Sequence, residues 1–177
     1  DRHVFTPLDR LHLELAPIQL QTTDRRITAR YRLAGSRQLG AYTARPRAPG
    51  DALLSVQVHE SAVNNLLEGL GFAGRRVELH ELYHEIATLF GADEIPEPEE
   101  IPAGVVVHFA AEQPLRVRFE EGRMAVCIRL AELSHERRRW RNFEVRGYYA
   151  PDTTKLSADL VRDGHIELSG ENIRIGD

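Results

Sequence analysis

Alternation of apolar and polar residues is the feature that most constrains the fold of this chain. It runs through residues 11–20 and 27–33 and returns at 115–119 and 124–130, where a Glu121-Gly122 turn separates the two runs. Successive side chains of a strand point to opposite faces, so each run has one face for a core and one for water. The pattern predicts long antiparallel hairpins in both halves of the chain.

The apolar spacing changes to three and four between these strand runs. It does so twice, at Ala62, Val63, Leu66, Leu67 and Leu70 and at Leu79, Leu82, Tyr83, Ile86, Leu89 and Phe90. This spacing predicts two amphipathic helices, at about 61–69 and 77–90, with Ser61 as the N-cap of the first. A short strand at 53–58 precedes them, and a proline-spaced acidic connector at 94–102 follows. The order of strands, two helices and strands predicts an α+β fold dominated by an antiparallel sheet.

Length and charge narrow the class of protein further. A chain of 177 residues fits a single domain over 1–177, and a net charge of −4 argues against a nucleic-acid partner. No apolar run is long enough for a transmembrane segment. The chain opens at Asp1 without an initiator Met, which we interpret as a mature product or an excised piece of a longer parent protein. Lys155 is the only lysine among 23 basic residues; compositional bias on a solvated surface is the favoured reading of this arginine excess, and carboxylate or phosphate recognition is the alternative.

The segment His80-Glu81-Leu82-Tyr83-His84 is an H-E-x-x-H motif and resembles that of the zincin metalloproteases. In that motif, two histidines one helical turn apart bind zinc and the glutamate acts as general base. Here His80 and His84 flank the apolar stripe of the second helix, and no third ligand is signalled. A solvated helix face is the favoured interpretation, with a zinc metallohydrolase using His80, Glu81 and His84 as the alternative.

Three further features have structural interpretations. Two adjacent asparagines, Asn64 and Asn65, disfavour a helix interior and predict caps to neighbouring loops, with a ligand contact as the alternative. The single cysteine, Cys127, lies in an alternating strand and predicts a small packed side chain. The basic run at 137–141 predicts an exposed hairpin end whose arginines pair with Glu132, Glu136 and Glu144, with phosphate binding or Trp140 at a membrane interface as the alternatives.

Residues 55–67, Ser-Val-Gln-Val-His-Glu-Ser-Ala-Val-Asn-Asn-Leu-Leu, look like a segment of domains in large uncharacterised bacterial proteins. More remotely, the order of strand, helix, helix and hairpin over about 53–133 resembles the tubular lipid-binding superfamily of bactericidal/permeability-increasing protein. That resemblance implies a strongly bent sheet wrapped around the two helices, with lipid acyl chains between them. It also implies a location in the cell envelope.

These observations together predict a non-catalytic binding or interaction module, with no catalytic or cofactor-binding residues. Its partners would be a lipid or an apolar small molecule and the rest of the parent protein. The residues predicted to line a ligand groove between helices and sheet are Leu66, Leu67, Leu70, Leu82, Ile86, Val117, Phe119 and Ile128. The alternative functions are a zinc metallohydrolase and a purely structural domain of a larger envelope protein.

Overall fold

A computed structural model describes residues 8, 11–40, 55–89, 101–151 and 160–170 of the chain. The chain divides into two compact units, residues 1–70 and 71–177. Helices and antiparallel strands make up the described part, so the α+β class is confirmed. The assignment of residues 1–177 to one domain stays a prediction.

The first unit contains a long β-hairpin. Strands β1 (Glu14–Thr23) and β2 (Arg26–Ala34) pair in antiparallel register from Glu14 opposite Ala34 to Thr23 opposite Arg26, with a bulge between Pro17 and Gln19. The turn lies at residues 24–25, where Thr23 Oγ1 donates a hydrogen bond to the carbonyl of Arg26 at 3.2 Å. The predicted hairpin is therefore confirmed.

Helix α1 (Glu60–Gly69) follows, and its N-cap is His59. The His59 Nδ1 atom accepts a hydrogen bond from the backbone N–H of Ser61 at 3.1 Å and so satisfies a donor of the first helical turn. The prediction of Ser61 as the cap was wrong because the imidazole two residues earlier supplies the acceptor. The predicted strand at 53–58 was also wrong for residues 55–58, which have no regular structure; residues 53–54 lie outside the described part.

The described part of the second unit contains an antiparallel sheet and one helix. Its elements are β3 (Arg76–Glu78), α2 (Leu79–Leu89), β4 (Val106–Phe109), β5 (Leu115–Glu120), β6 (Arg123–His135), β7 (Arg138–Pro151), β8 (Leu160–Arg162) and β9 (Glu167–Gly170). The strand order is β3-β4-β6-β7-β8, with β5 also paired to β6 and β9 also paired to β7. β4 and β5 thus pair with the same edge of β6, and β8 and β9 pair with the same edge of β7.

The second helix begins later than the apolar spacing predicted. Residues 76–78 form β3, which pairs with β4 so that Val77 lies opposite Val107. Both valines are buried, and the ladder hydrogen bonds of β4 hold this segment extended despite its helical spacing. The helix therefore begins at Leu79. Phe90 and most of the predicted 94–102 connector lie outside the described residues.

The β6–β7 hairpin turns at residues 136–137, next to the basic run. Arg141 Nε donates to Glu132 at 2.9 Å, which confirms one predicted pair. Glu144 instead accepts from Arg146 on its own strand at 2.7 Å. The predicted pairing of Glu144 with residues 137–141 was wrong because Arg146, two residues along β7, lies on the same face of the sheet.

The core of the second unit lies on the apolar face of its sheet. Phe72 and Phe109 stack there with ring centroids 5.0 Å apart. The other buried apolar residues include Val77, Leu82, Val105, Val107, Val117, Leu130 and Phe143. Val107 lies opposite Leu133 and Phe109 opposite Leu130, so β4 and β6 contribute to the same layer.

Candidate functional site

One face of the β1–β2 hairpin is apolar and exposed. Residues directly opposite each other in an antiparallel pair lie on the same face, and the register sets Leu20 opposite Ala29 and Thr22 opposite Ile27. Leu20 is 74% exposed and Ile27 is 72% exposed. We define the apolar hairpin face by its large exposed members, which are Leu15, Ile18, Leu20, Ile27 and Tyr31.

The exposure of this face corrects the sequence analysis. Period-two alternation led us to expect the apolar side of residues 11–33 against a core. Leu13 and Ala34, at the ends of the hairpin segment, are buried, but the middle of the hairpin is not. Alternation fixes which side chains share a face, and it does not state what covers that face.

The charge around the apolar hairpin face is positive. Residues 11–40 contain five arginines and only the acids Glu14 and Asp24, a net charge of +3, in a chain whose total is −4. Arg30 lies opposite Gln19 and Arg32 opposite Ala16, on the face opposite the apolar one. Hydrocarbon and guanidinium groups thus occur on one exposed element, which suits contact with an amphiphile of negative charge.

Helix α1 is fastened to this hairpin by a buried polar side chain. Asn65 is 7% exposed, and its Nδ2 atom donates to the carbonyl of Leu33 at 2.9 Å. Gln38 Nε2 donates in turn to the carbonyl of Asn65 at 3.1 Å and to Glu68 at 2.8 Å. The prediction that Asn65 caps neighbouring backbone is confirmed.

The residues predicted to line a ligand groove divide between the two units. Leu66, Leu67 and Leu70 belong to the first unit and are half-buried. In the second unit, Leu82 is buried and Ile86 is exposed on α2. Val117, Phe119 and Ile128 share the apolar face of the β5–β6 pair, where Val117 is buried and Phe119 is 45% exposed. A common groove for all eight stays a prediction.

The H-E-x-x-H residues lie on α2. His80 Nε2 lies 2.9 Å from the carbonyl of Ile101, so this ring nitrogen donates a hydrogen bond to backbone. The His84 ring meets Tyr83 edge-on, with centroids 5.7 Å apart. Within the described ranges, no group of three or more His, Cys, Asp or Glu side chains is arranged to hold a metal ion. The zinc metallohydrolase stays a prediction.

Comparison with known proteins gives no relative. No family model, no curated protein and no solved structure matches the chain. Among the helices in the described part, none is long and apolar enough to cross a membrane.

Proposed function

We propose that this chain is a non-catalytic binding module that holds a lipid through the apolar hairpin face. The observation that carries the proposal is the exposure of Leu20 and Ile27, with Ile18 and Tyr31, on one face of a hairpin. Burying a large aliphatic side chain contributes about 1.5–3 kcal/mol. Leu20, Ile27 and Ile18 are three such side chains, and their burial against hydrocarbon would offset much of the entropy cost of binding.

The charge of the same element favours a lipid with an anionic headgroup. The net charge of +3 over residues 11–40 attracts anionic surfaces, and each basic residue near such a surface contributes about 1 kcal/mol. Arginine also suits phosphate oxygens through its planar fork of donors. An anionic phospholipid surface suits this element, because its acyl chains can cover the apolar hairpin face while its negative charge attracts the net positive charge of the hairpin.

The finer arrangement belongs to this proposal as well. It comprises a strongly bent sheet and two amphipathic helices. The remote resemblance to tubular lipid-binding proteins and a place in the cell envelope agree with such a ligand. A purely structural envelope domain and a zinc metallohydrolase are the two outcomes that would replace it.

The test is co-sedimentation with vesicles of phosphatidylcholine containing phosphatidylglycerol. The double variant Leu20→Glu, Ile27→Glu places two charges on the apolar hairpin face, and we expect it to bind at least tenfold more weakly. The matched control is Gln19→Glu, Gln21→Glu, which adds the same charge to the opposite face of β1. Both double variants lose the same two charges' worth of attraction to the vesicles, so the control should bind more tightly than Leu20→Glu, Ile27→Glu by the contribution of the apolar hairpin face.

Equal loss in both double variants would mean that charge alone drives the association. Absence of vesicle binding by the unmodified chain would retire the lipid proposal. Native mass spectrometry of untreated protein completes the test, because it distinguishes a bound lipid from stoichiometric zinc and from an empty chain. An empty chain that binds no vesicles would favour the structural domain.

A further inference from the structure

The polar face of the second unit's sheet holds a concavity of about 300 Å³. It lies over the centre of the sheet, where β5, β6 and β7 are neighbours. The register sets Arg116 opposite Cys127 and Cys127 opposite Arg146, so three side chains form one row across these strands. The lining has two more arginines. Arg118 lies two residues after Arg116 on β5, and Arg129 lies two residues after Cys127 on β6. We call this site the arginine concavity.

The small residue Cys127 belongs to its lining, and Ala125 lies two residues before it on β6. Ala125 is 1% exposed and Cys127 is 4% exposed, although both lie on the polar face of β6. Arg116 and Arg146 lie opposite Cys127, and Arg118 lies opposite Ala125. The space above the short side chains, between the taller guanidinium-bearing ones, is the concavity.

The charge in the arginine concavity is not balanced. Of its lining residues, four are arginines and only Glu144 is acidic. Glu144 pairs with Arg146 at 2.7 Å, and Arg118 lies 3.7 Å from Glu120. Arg129 donates to the neutral carbonyl of Glu112 at 3.2 Å. Over the residues that the structure describes, neither Arg116 nor Arg129 has a carboxylate partner.

Arg146 adds an unsatisfied donor beneath this excess charge. Its Nε atom is buried and has no hydrogen-bond partner among the described residues. The Tyr148 hydroxyl, and after it Glu144 and Cys127, hold the pKa of the Arg146 guanidinium above its usual range. The positive charge therefore persists at every pH at which the chain is folded.

We infer that the arginine concavity is a binding site for a phosphate group, carried by a small molecule or by a lipid headgroup. Two guanidinium groups without carboxylate partners can each donate a bidentate pair of hydrogen bonds to phosphate oxygens. The volume of about 300 Å³ accommodates a phosphate with a small substituent. A dianionic monoester suits the site better than a monoanion, because the lining carries four positive charges and one negative charge.

The first measurement is calorimetric titration of the chain with inorganic phosphate. The second compares vesicles of phosphatidylcholine containing phosphatidic acid, a phosphate monoester, with vesicles containing phosphatidylglycerol, a diester. Saturable binding of inorganic phosphate would identify a free phosphate group as sufficient. A preference for phosphatidic acid without binding of free phosphate would identify the lipid headgroup as the source.

The variant that tests the site is Arg116→Gln, Arg129→Gln. Hydrogen bonds to charged groups are worth about 1.5–3 kcal/mol, so we expect phosphate affinity to fall at least tenfold and the preference for phosphatidic acid to vanish. The control is Arg137→Gln, Arg138→Gln, which removes the same charge from the exposed β6–β7 turn. Arg116→Lys keeps the charge and removes the planar fork, and it should also weaken phosphate binding.

Cys127 provides a readout that does not depend on affinity. It is the only cysteine of the chain and is 4% exposed, so neutral iodoacetamide reaches it only when the strands around the concavity open, and phosphate bound there should suppress that opening. Phosphate should slow this reaction in the unmodified chain and leave it unchanged in the Arg116→Gln, Arg129→Gln variant. The variant's melting temperature establishes that it is folded.

This inference is independent of the proposed function, because the apolar hairpin face lies in the first unit and the arginine concavity in the second. The absence of saturable binding up to about 10 mM phosphate, together with equal binding to both kinds of vesicle, would overturn it. Equal loss of phosphate binding in the Arg137→Gln, Arg138→Gln control would overturn it too, since binding would then reflect general charge.

Discussion

Arg75 and Glu85 face each other as a planar pair, with two guanidinium nitrogens on the two carboxylate oxygens at 2.8 and 2.6 Å. The pair joins the segment before β3 to the middle of α2. Arg75 also lies over the Phe72 ring, 5.7 Å from its centroid. The hydrogen bonds from Arg75 hold the pKa of the Glu85 carboxyl below its ordinary value of 4.5.

This pair predicts a pH dependence of stability. A carboxyl whose folded pKa is lowered stabilises the fold above the unfolded pKa of about 4.3, and that contribution is lost as the pH falls through the folded pKa. Because both side chains are partly exposed, the pair contributes at most about 1 kcal/mol. We expect Glu85→Gln to lower the melting temperature by a few degrees at pH 7 and to match the unmodified chain near pH 3. The control is Glu136→Gln, in the β6–β7 turn of the same unit. An unchanged difference at pH 3 would contradict the ion-pair account.

The stacked pair Phe72 and Phe109 predicts a large loss of stability on truncation. Both rings are buried, and replacing a buried phenylalanine by alanine costs about 3–5 kcal/mol. We expect Phe72→Ala to shift the urea midpoint of the second unit strongly. Phe119→Ala, at a 45% exposed position, is the matched control and should cost much less. Equal costs would mean that the Phe72 site collapses to fill the cavity.

We expect the hydrogen bond of the buried Asn65 side chain to stabilise the first unit. Asn65→Ala leaves the Leu33 carbonyl without its side-chain donor, and we expect a loss of about 1–3 kcal/mol in the free energy of unfolding. Asn65→Asp keeps the size and removes the donor, so it should destabilise to a similar extent. Exposed Gln21→Ala, on β1, serves as the control. A harmless Asn65→Asp would show that the amide donor is not what matters.

We expect the two histidines of α2 to bind no stoichiometric zinc. His80→Ala removes the hydrogen bond to the Ile101 carbonyl, for which we expect a cost of about 0.5–1.5 kcal/mol. His84→Ala should leave folding largely unchanged. Elemental analysis of protein made without a histidine tag is the measurement. One zinc per chain, held at about 2.0–2.1 Å by both imidazoles, would establish the metal site instead.

Much of the fold could be predicted from local patterns. Glu121 and Gly122 both have positive φ, at 50° and 78°, as the turn between β5 and β6 requires. Alternation found that hairpin and the β1–β2 hairpin, because side-chain period and turn residues are local properties. The apolar spacing wrongly predicted helix at residues 77–78, because pairing with β4 holds these residues in a strand. The prediction of Ser61 as the N-cap of α1 was also wrong, because the imidazole of His59 accepts the hydrogen bond instead of a hydroxyl.

The sites were harder to predict than the strands. Alternation set Arg116 and Arg118 on one face of β5, but their meeting with Arg146 depends on the register of β6 with two neighbours. A strand pattern does not contain that register. The exposure of Leu20 and Ile27 is likewise a property of what surrounds the hairpin. The arginine excess was the one signal in the sequence that pointed toward the concavity.

The sharing of one edge of β6 by β4 and β5 has a consequence for the order in which the second unit folds. The β6–β7 hairpin closes through a turn at residues 136–137, so it can form from contacts near in sequence. β5 joins β6 through the equally short Glu121-Gly122 turn and can form as early, whereas β4 adds to the same edge of β6, and β8 and β9 add to the outer edge of β7. β3 pairs only with β4 among the described strands and must wait for it. Pulse-labelled amides should therefore become protected first in β5, β6 and β7 and last in β3, which means that the sheet grows outward from its middle.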